Sequence, residues 1–129
     1  MLRLFLLANC ASCTVFGILF LLHTERSVEF IGTPPTIIVS VLGALLLLNA
    51  ALLAMTALRW QHMPTLIMFF VVGDVGWVAL TIGCLALDLW IQGTSAILAS
   101  ITIATIVGAL GYGQYLFGVK GKLSRQASV

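Results

Sequence analysis

Four long stretches of the chain are almost continuously apolar, and short polar segments separate them. A helix needs about 20 mostly apolar residues to cross a hydrocarbon core that is roughly 30 Å thick. In lipid every backbone N–H and C=O group must find a partner within the chain, so apolar spans of this length are expected to be helical. The pattern predicts four transmembrane helices, over residues 4–22, 36–58, 65–87 and 95–117.

The composition supports a membrane protein. Hydrophobic residues make up 61% of the 129 residues and charged residues only 8%, whereas soluble domains carry about 25% charged residues. The mean hydropathy is +1.18, and a soluble domain of this size could not cover so much apolar surface. We therefore expect a single transmembrane domain over residues 1–129, with residues 118–129 forming a short basic tail.

Two other membrane interpretations fit the sequence less well. The strands of a membrane β-barrel alternate apolar and polar residues over about ten positions, but runs such as residues 45–48 are all leucine. The first apolar run is longer than the core of a signal peptide, and no small-residue cleavage site follows it, so we expect this helix to be retained.

The distribution of lysine and arginine predicts the orientation. Short loops make neighbouring helices antiparallel, so the architecture is expected to be an up-down bundle. Only Arg26 lies on one side of this bundle, and the other side carries Arg3, Arg59, Lys120, Lys122 and Arg125. The side with the excess of positive charge is expected to be cytoplasmic, which places both termini there.

The connection over residues 23–35 is the longest of the three. It ends in Pro34 and Pro35, directly before the second predicted helix. Proline is tolerated in the first turn of a helix but not in its interior. The sequence therefore predicts an extended segment that stops where the second helix begins.

Asp74 is an acidic residue deep within the third predicted span. It lies nine residues into that span, which corresponds to a depth of roughly 13 Å. An ionised carboxylate near the membrane centre costs about 2.5–3.5 kcal/mol, so Asp74 should face the bundle interior and have partners. The other helices supply Asn9, Asn49 and Gln114 at similar depth. We expect these three amides to form a buried network with Asp74, and Trp77 to pack against it.

Two interpretations of this predicted network remain open. Polar side chains often hold transmembrane helices together, which would make the network structural. Intramembrane acids also serve in proton relays and in sites for small polar or cationic ligands. No basic residue lies at the depth of Asp74, so the sequence does not predict a permanent ion pair there.

Cys10 and Cys13 form a Cys-x-x-Cys pattern on the first predicted helix. Free cysteine usually behaves as a small buried hydrophobic residue, which is the interpretation we prefer, so no metal site is predicted. Binding of a soft metal ion by the two thiolates is one alternative. Thiol redox chemistry is another, but it requires a thiolate with access to a partner, which apolar surroundings disfavour.

The order of residues along the chain resembles that of a known group of proteins. The features are Asn9 and Gly17 in the first helix, Leu42-Gly43 in the second, Asp74-x-x-Trp77-Val78 in the third, and Gln114 with Gly118 in the fourth. This order is similar to that of an uncharacterised family of small bacterial four-helix integral membrane proteins. The resemblance implies four helices and a bacterial inner membrane, and it carries no known activity. Cys10 and Cys13 lie outside the shared pattern.

The function that we expect is non-enzymatic. The chain has no acid–base pair and no nucleophile–base pair of the kind that catalysis requires. We expect an accessory or scaffold subunit without a cofactor, in contact with membrane lipid and with other membrane protein subunits or further copies of itself. The alternative is a small transporter, or a ligand- or proton-binding membrane protein, that uses Asp74 and its predicted partners. Nucleic-acid binding is not expected, because no basic stripe interleaved with aromatic residues is present.

Overall fold

The protein consists of helices arranged as a bundle. A computed structural model describes residues 1–121 together with Ser124 and Ala127. Its elements are α1 (Leu2–Leu22), α2 (Thr24–Ile31), α3 (Thr36–Leu58), α4 (Pro64–Ala86), α5 (Thr94–Gln114) and the π-helical segment Tyr115–Lys120. Within the described residues, β-type pairing is limited to one isolated bridge between Gly32 and Ile91.

The predicted all-α bundle of four membrane-spanning helices is confirmed. Helices α1, α3, α4 and, together with the π-helical segment, α5 are long and apolar enough to cross a membrane. The bounds of α3 agree with the predicted span, and α1 and α4 begin slightly earlier than predicted. Because the number of spans is even, both chain termini belong to one end of the bundle. We call this the inner end, after the predicted orientation, and the opposite end the outer end.

The first connection differs from the sequence prediction, because it contains a helix instead of an extended segment. Helix α2 (Thr24–Ile31) follows α1 after a break at His23, where the backbone has φ −121° and ψ 42°. The hydroxyl of Thr24 donates to the carbonyl of Phe20, and that of Ser27 donates to the carbonyl of His23. These local hydrogen bonds satisfy backbone carbonyls near the break, where the regular helical pattern ends.

Helices α1 and α3 make the most extensive contact in the bundle. They approach closely where Gly17 faces Gly43. A Cβ added at Gly43 would lie 2.9 Å from the backbone nitrogen of Leu21 and 3.0 Å from the carbonyl oxygen of Gly17. Glycine at this crossing therefore allows the two backbones to approach each other, as small residues commonly do between membrane helices.

The end of the fourth span continues beyond the predicted boundary. The π-helical segment keeps Gly118 and Val119 buried, and the ring of Phe117 stacks on that of Phe5 in α1. The first two positions of the predicted basic tail, Gly118 and Val119, therefore pack against the bundle. Most of the remaining tail, including Lys122 and Arg125, lies outside the described residues.

The two connections at the outer end are hydrogen-bonded to each other. The N–H of Thr33 donates to the carbonyl of Trp90 at 3.0 Å, and the N–H of Gln92 donates to the carbonyl of Ile31 at 2.8 Å. Trp90 has a φ of +61°, which is uncommon for a residue other than glycine. This pairing joins the end of α2 to the loop between α4 and α5.

Candidate functional site

Asp74 is buried near the inner half of the bundle, and two amide side chains donate to its carboxyl group. The Asn9 Nδ2 atom lies 3.0 Å from Oδ1 and 2.9 Å from Oδ2 of Asp74. Gln114 Nε2 lies 3.1 Å from Oδ2. Asp74 is 6% exposed, Asn9 1% and Gln114 not at all. Hydrogen bonds thus join α1, α4 and α5 at one buried point.

The close approach of α4 and α5 at this point depends on a glycine. A Cβ added at Gly111 would lie 2.9 Å from the Cβ of Asp74. Gly111 is buried and lies one turn before Gln114 on α5. The absence of a side chain therefore lets Asp74 lie against α5 while Gln114 donates to it from the next turn.

Asn49 joins this group indirectly, through Cys13. The thiol of Cys13 is within hydrogen-bonding distance of Asn9 Oδ1, at 3.6 Å. The Nδ2 atom of Asn49 lies 3.5 Å from the same sulfur. We use the name polar chain for these five side chains: Asn49, Cys13, Asn9, Asp74 and Gln114. All four membrane-spanning helices contribute to it.

One buried atom of the polar chain has no hydrogen-bond partner. The Oε1 atom of Gln114 is buried and accepts no hydrogen bond. The amide orientation of Gln114 directs Nε2 to Asp74, which turns Oε1 away from the available donors. The polar chain is therefore almost completely satisfied by its own members, and what it can do directly is hold the four spanning helices in register.

The two remaining cysteines are separate from the polar chain. The thiol of Cys10 donates to the carbonyl of Ala50 at 3.2 Å, and Cys84 is buried on α4. Cys10 and Cys13 are free thiols. Within the part of the chain that the structure describes, no group of three or more His, Cys, Asp or Glu side chains could hold a metal ion.

Trp77 lines a cavity on the outer side of the polar chain. Among the described residues, no hydrogen bond links its side chain to Asp74 or to the amides around Asp74. The cavity lies in the outer half of the bundle. Trp77 follows Asp74 by about one helical turn, so it lies between the polar chain and the cavity.

This outer cavity lies among the helices of the bundle. Its volume is about 600 Å³, and every helix from α1 to α5 contributes to its wall. Helices α3 and α4 make few contacts with each other, and this leaves room between the two halves of the bundle. Most of the wall is apolar, with aromatic side chains from Phe16, Phe20, Phe30, Trp77 and Trp90.

The basic groups of the cavity lie at its outer end. His23, Arg26 and Ser27 line it from the junction of α1 and α2. The two carboxylates of α2, on Glu25 and Glu29, are exposed and are not part of the wall. On a helix, residues 26, 27, 30 and 31 share one face and residues 25 and 29 lie on the opposite one. Arg26 is exposed as well and lies at the rim of the cavity, whereas Glu25 and Glu29 do not line it.

A smaller hollow of about 250 Å³ lies beside Asp74 between α4 and α5. Apart from the carboxyl group, its wall consists of Val75, Val78, Ala79, Ile82, Gly108 and Gly111. The oxygens of Asp74 already accept from Asn9 and Gln114, so this hollow offers a ligand little beyond apolar contact.

Comparison with known proteins finds no family model, no curated protein and no solved structure that matches this chain. The resemblance to bacterial four-helix membrane proteins therefore stays a prediction.

The sequence analysis named Asn9, Asn49, Asp74 and Gln114, and the structure brings these residues together in the polar chain. It missed Cys13 as the link to Asn49, and it missed the outer cavity. One sequence signal could have indicated the cavity. Arg26 and Phe30 are spaced by four residues within a polar connection, which is the spacing of one face of an amphipathic helix.

Proposed function

We propose that the protein is a non-enzymatic integral membrane protein that binds an amphipathic small molecule in its outer cavity. The observation that carries this proposal is the cavity itself. Its volume of about 600 Å³ falls within the roughly 300–1,000 Å³ that is typical of ligand sites. Ligand sites commonly combine apolar walls with a few polar groups that fix orientation, and the outer cavity has this composition.

The position of the cavity favours a ligand that enters from the membrane. His23 and Phe16, which both line the cavity, are seven residues apart on α1, so the space extends roughly 10 Å along the helix axis. The basic groups mark its outer end and the apolar wall continues toward the membrane centre. An amphipathic molecule could place its polar group near the membrane surface and its apolar part beside Trp77.

In this proposal Asp74 has a structural role. The sequence analysis left open a ligand or proton site at Asp74. The carboxyl group is occupied by two amides of the protein itself, whereas the space for a ligand lies one turn farther out. The polar chain would hold the inner half together while the outer half stays open enough to accept a ligand.

Fluorescence quenching can test the proposed binding. Trp77 and Trp90 line the cavity, whereas Trp60 lies in the connection at the inner end, so Trp60→Phe leaves only the two cavity tryptophans. Purified protein in phosphatidylcholine nanodiscs is titrated with dibrominated stearic acid and with the corresponding dibrominated alcohol. The proposal expects saturable quenching by at least one of these probes.

Two substitutions on α5 separate cavity binding from general contact with lipid. Ala99 lines the cavity, so Ala99→Phe should fill part of it and abolish the saturable component. Leu98 is 60% exposed and is not part of the wall, so Leu98→Phe should leave quenching unchanged. Equal quenching of the two variants would refute binding in the cavity.

An accessory subunit is the second candidate function. Helix α4 carries Gly73, Gly76 and Gly83, and a Cβ added at any of them would meet no atom within 4 Å. Such positions allow a neighbouring membrane helix to approach closely. Purification in mild detergent followed by mass spectrometry tests this function, which requires a stoichiometric partner that Gly76→Leu displaces. For both candidates we propose the bacterial inner membrane as the location, on the basis of the resemblance and the distribution of positive charge.

A further inference from the structure

We infer that the outer cavity selects an amphiphile with an anionic headgroup, and that Arg26 and His23 hold that headgroup. This inference rests on the proposed function, because it specifies the ligand of the same cavity. It is argued from the charges at the outer end, from the position of α2 and from the shape of the apolar wall.

The charged lining of the cavity has a single sign. Arg26 is the one charged residue among the described residues of the wall, and no acidic residue lines it. Among the residues that the structure describes, no carboxylate forms an ion pair with Arg26. An arginine without a partner, beside an apolar space, provides several N–H donors in a fixed planar arrangement that suits carboxylate and phosphate oxygens.

A further donor, the imidazole of His23, lies beside Arg26. His23 is at the break between α1 and α2, and its backbone N–H donates to the carbonyl of Leu19. Its backbone carbonyl accepts from the N–H of Ser27 at 2.9 Å. These bonds fix the backbone of His23 and of Ser27 at the cavity entrance, where their side chains line the wall. An imidazole N–H can donate to an anionic oxygen, whereas the Ser27 hydroxyl already donates to the carbonyl of His23.

The position of α2 is fixed independently of any ligand. The carbonyl of Ile31 at its end accepts from the N–H of Gln92, and the N–H of Thr33 donates to the carbonyl of Trp90. The loop between α4 and α5 therefore holds α2 across the outer end. Arg26 and Phe30 face the cavity from this helix, whereas Glu25 and Glu29 do not line it. A cationic ligand would need Glu25 and Glu29 to line the cavity. Helix α2 instead presents the face that carries Arg26 to the cavity.

The apolar wall specifies the rest of the ligand. From Arg26 the cavity continues past Phe20 and Leu80 to Trp77. A free inorganic anion would leave this apolar space unfilled, and a ligand without a charged group would leave Arg26 without a partner. A hydrocarbon chain that carries one carboxylate or phosphate at its end fits both parts of the cavity, so a single-chain acidic lipid is the class of ligand that the geometry favours.

Three ligands that share one hydrocarbon chain can test headgroup selection: oleic acid, oleyl alcohol and oleylamine. Each is titrated at pH 7.4 against a fixed amount of dibrominated stearic acid bound to the Trp60→Phe protein in phosphatidylcholine nanodiscs. Recovery of tryptophan fluorescence reports displacement. Affinities are expressed per mole fraction in the bilayer, because the three compounds partition into lipid differently.

Oleic acid should bind at least about tenfold more tightly than the other two compounds, as expected for one charge-assisted contact. Arg26→Gln should lower the affinity for oleic acid by about tenfold and should leave the affinity for oleyl alcohol unchanged. Arg59→Gln is the matched control, because Arg59 is an exposed arginine at the inner end, and this variant should behave like the parent.

Three outcomes would overturn the inference, and they differ in what they mean for the proposed function. Equal affinities for the three compounds, with displacement still abolished by Ala99→Phe, would refute headgroup selection and leave cavity binding intact. If the dibrominated probe shows no saturable quenching that Ala99→Phe removes, the proposed function and the inference both fail. A preference for oleic acid that Arg26→Gln does not reduce would also refute the assignment of Arg26.

Discussion

Replacing Asp74 by asparagine should destabilise the bundle less than replacing it by leucine. Asp74→Leu removes the acceptor of three N–H···O contacts, two from Asn9 and one from Gln114. Hydrogen bonds between membrane helices contribute about 0.6 kcal/mol on average and up to about 1.7. The expected loss of unfolding free energy is therefore about 2–5 kcal/mol.

Asp74→Asn has a compensation that is specific to this site. An asparagine can keep one oxygen toward Asn9 and turn its amide nitrogen toward Gln114. The buried Oε1 atom of Gln114 has no partner, so a rotation of the Gln114 amide would allow it to accept the new N–H. One contact from Asn9 and the contact from Gln114 Nε2 are lost, and one new contact to Gln114 Oε1 is gained. The net loss is one contact, so the expected destabilisation is about 0.6–1.7 kcal/mol.

The assay is reversible unfolding in mixed detergent micelles, followed by circular dichroism, with each variant beside the parent. Asp88→Asn is the control, because Asp88 is an exposed carboxylate in the outer connection. The reasoning predicts that Asp88→Asn remains close to the parent, that Asp74→Asn is slightly destabilised and that Asp74→Leu is clearly destabilised. If Asp74→Asn destabilises the protein as much as Asp74→Leu, the compensation through the Gln114 amide does not occur. If neither variant destabilises the protein, the structural role of the polar chain is refuted.

Three further predictions concern the helix contacts, the thiols and the orientation. Gly43→Ala should lower the unfolding free energy by about 1–3 kcal/mol, because backbone atoms of α1 and α3 must move apart. Gly83→Ala is the control and should have no such cost, since no atom lies near the added methyl group. Equal melting temperatures for the two variants would contradict the close α1–α3 contact. Cys13→Ser should stay within about 1 kcal/mol of the parent in the same unfolding assay, because a hydroxyl can make both hydrogen bonds of the thiol. Cys13→Leu can make neither bond and should lower the unfolding free energy more than Cys13→Ser does. In a cysteine-free background, Glu25→Cys should react with a membrane-impermeant maleimide in intact cells and Arg59→Cys only after permeabilisation; the reverse result would invert the predicted orientation.

Much of the fold could be predicted because the membrane sets the length and polarity of each span. The four apolar runs differ from their flanks in almost every position, so helix bounds such as Thr36–Leu58 follow closely from hydropathy. Helix α2 was missed because Thr, Glu, Arg and Ser, which are common in loops, make up five of its eight residues. The four-residue spacing of Arg26 and Phe30 corresponds to one helix face, and the structure shows that this face lines the cavity.

The site was only partly predictable. Depth along each helix can be counted from the sequence, which is why Asn9, Asp74 and Gln114 were expected to meet. Rotation about the helix axis cannot be counted in this way, because lipid-facing and interior residues are equally apolar and give little periodic signal. The direction of Trp77, the link through Cys13 and the space between α3 and α4 all depend on how the helices pack, which one sequence does not specify.

The most direct test of the proposed binding is the identification of molecules that stay with the protein when it is extracted from cell membranes in polymer nanodiscs without detergent. Ala99→Phe and Leu98→Phe proteins are prepared in parallel, and bound compounds are measured by mass spectrometry. Cavity binding predicts a stoichiometric single-chain amphiphile with the Leu98→Phe protein that is absent from the Ala99→Phe protein. Identical lipid profiles for the two variants would contradict it.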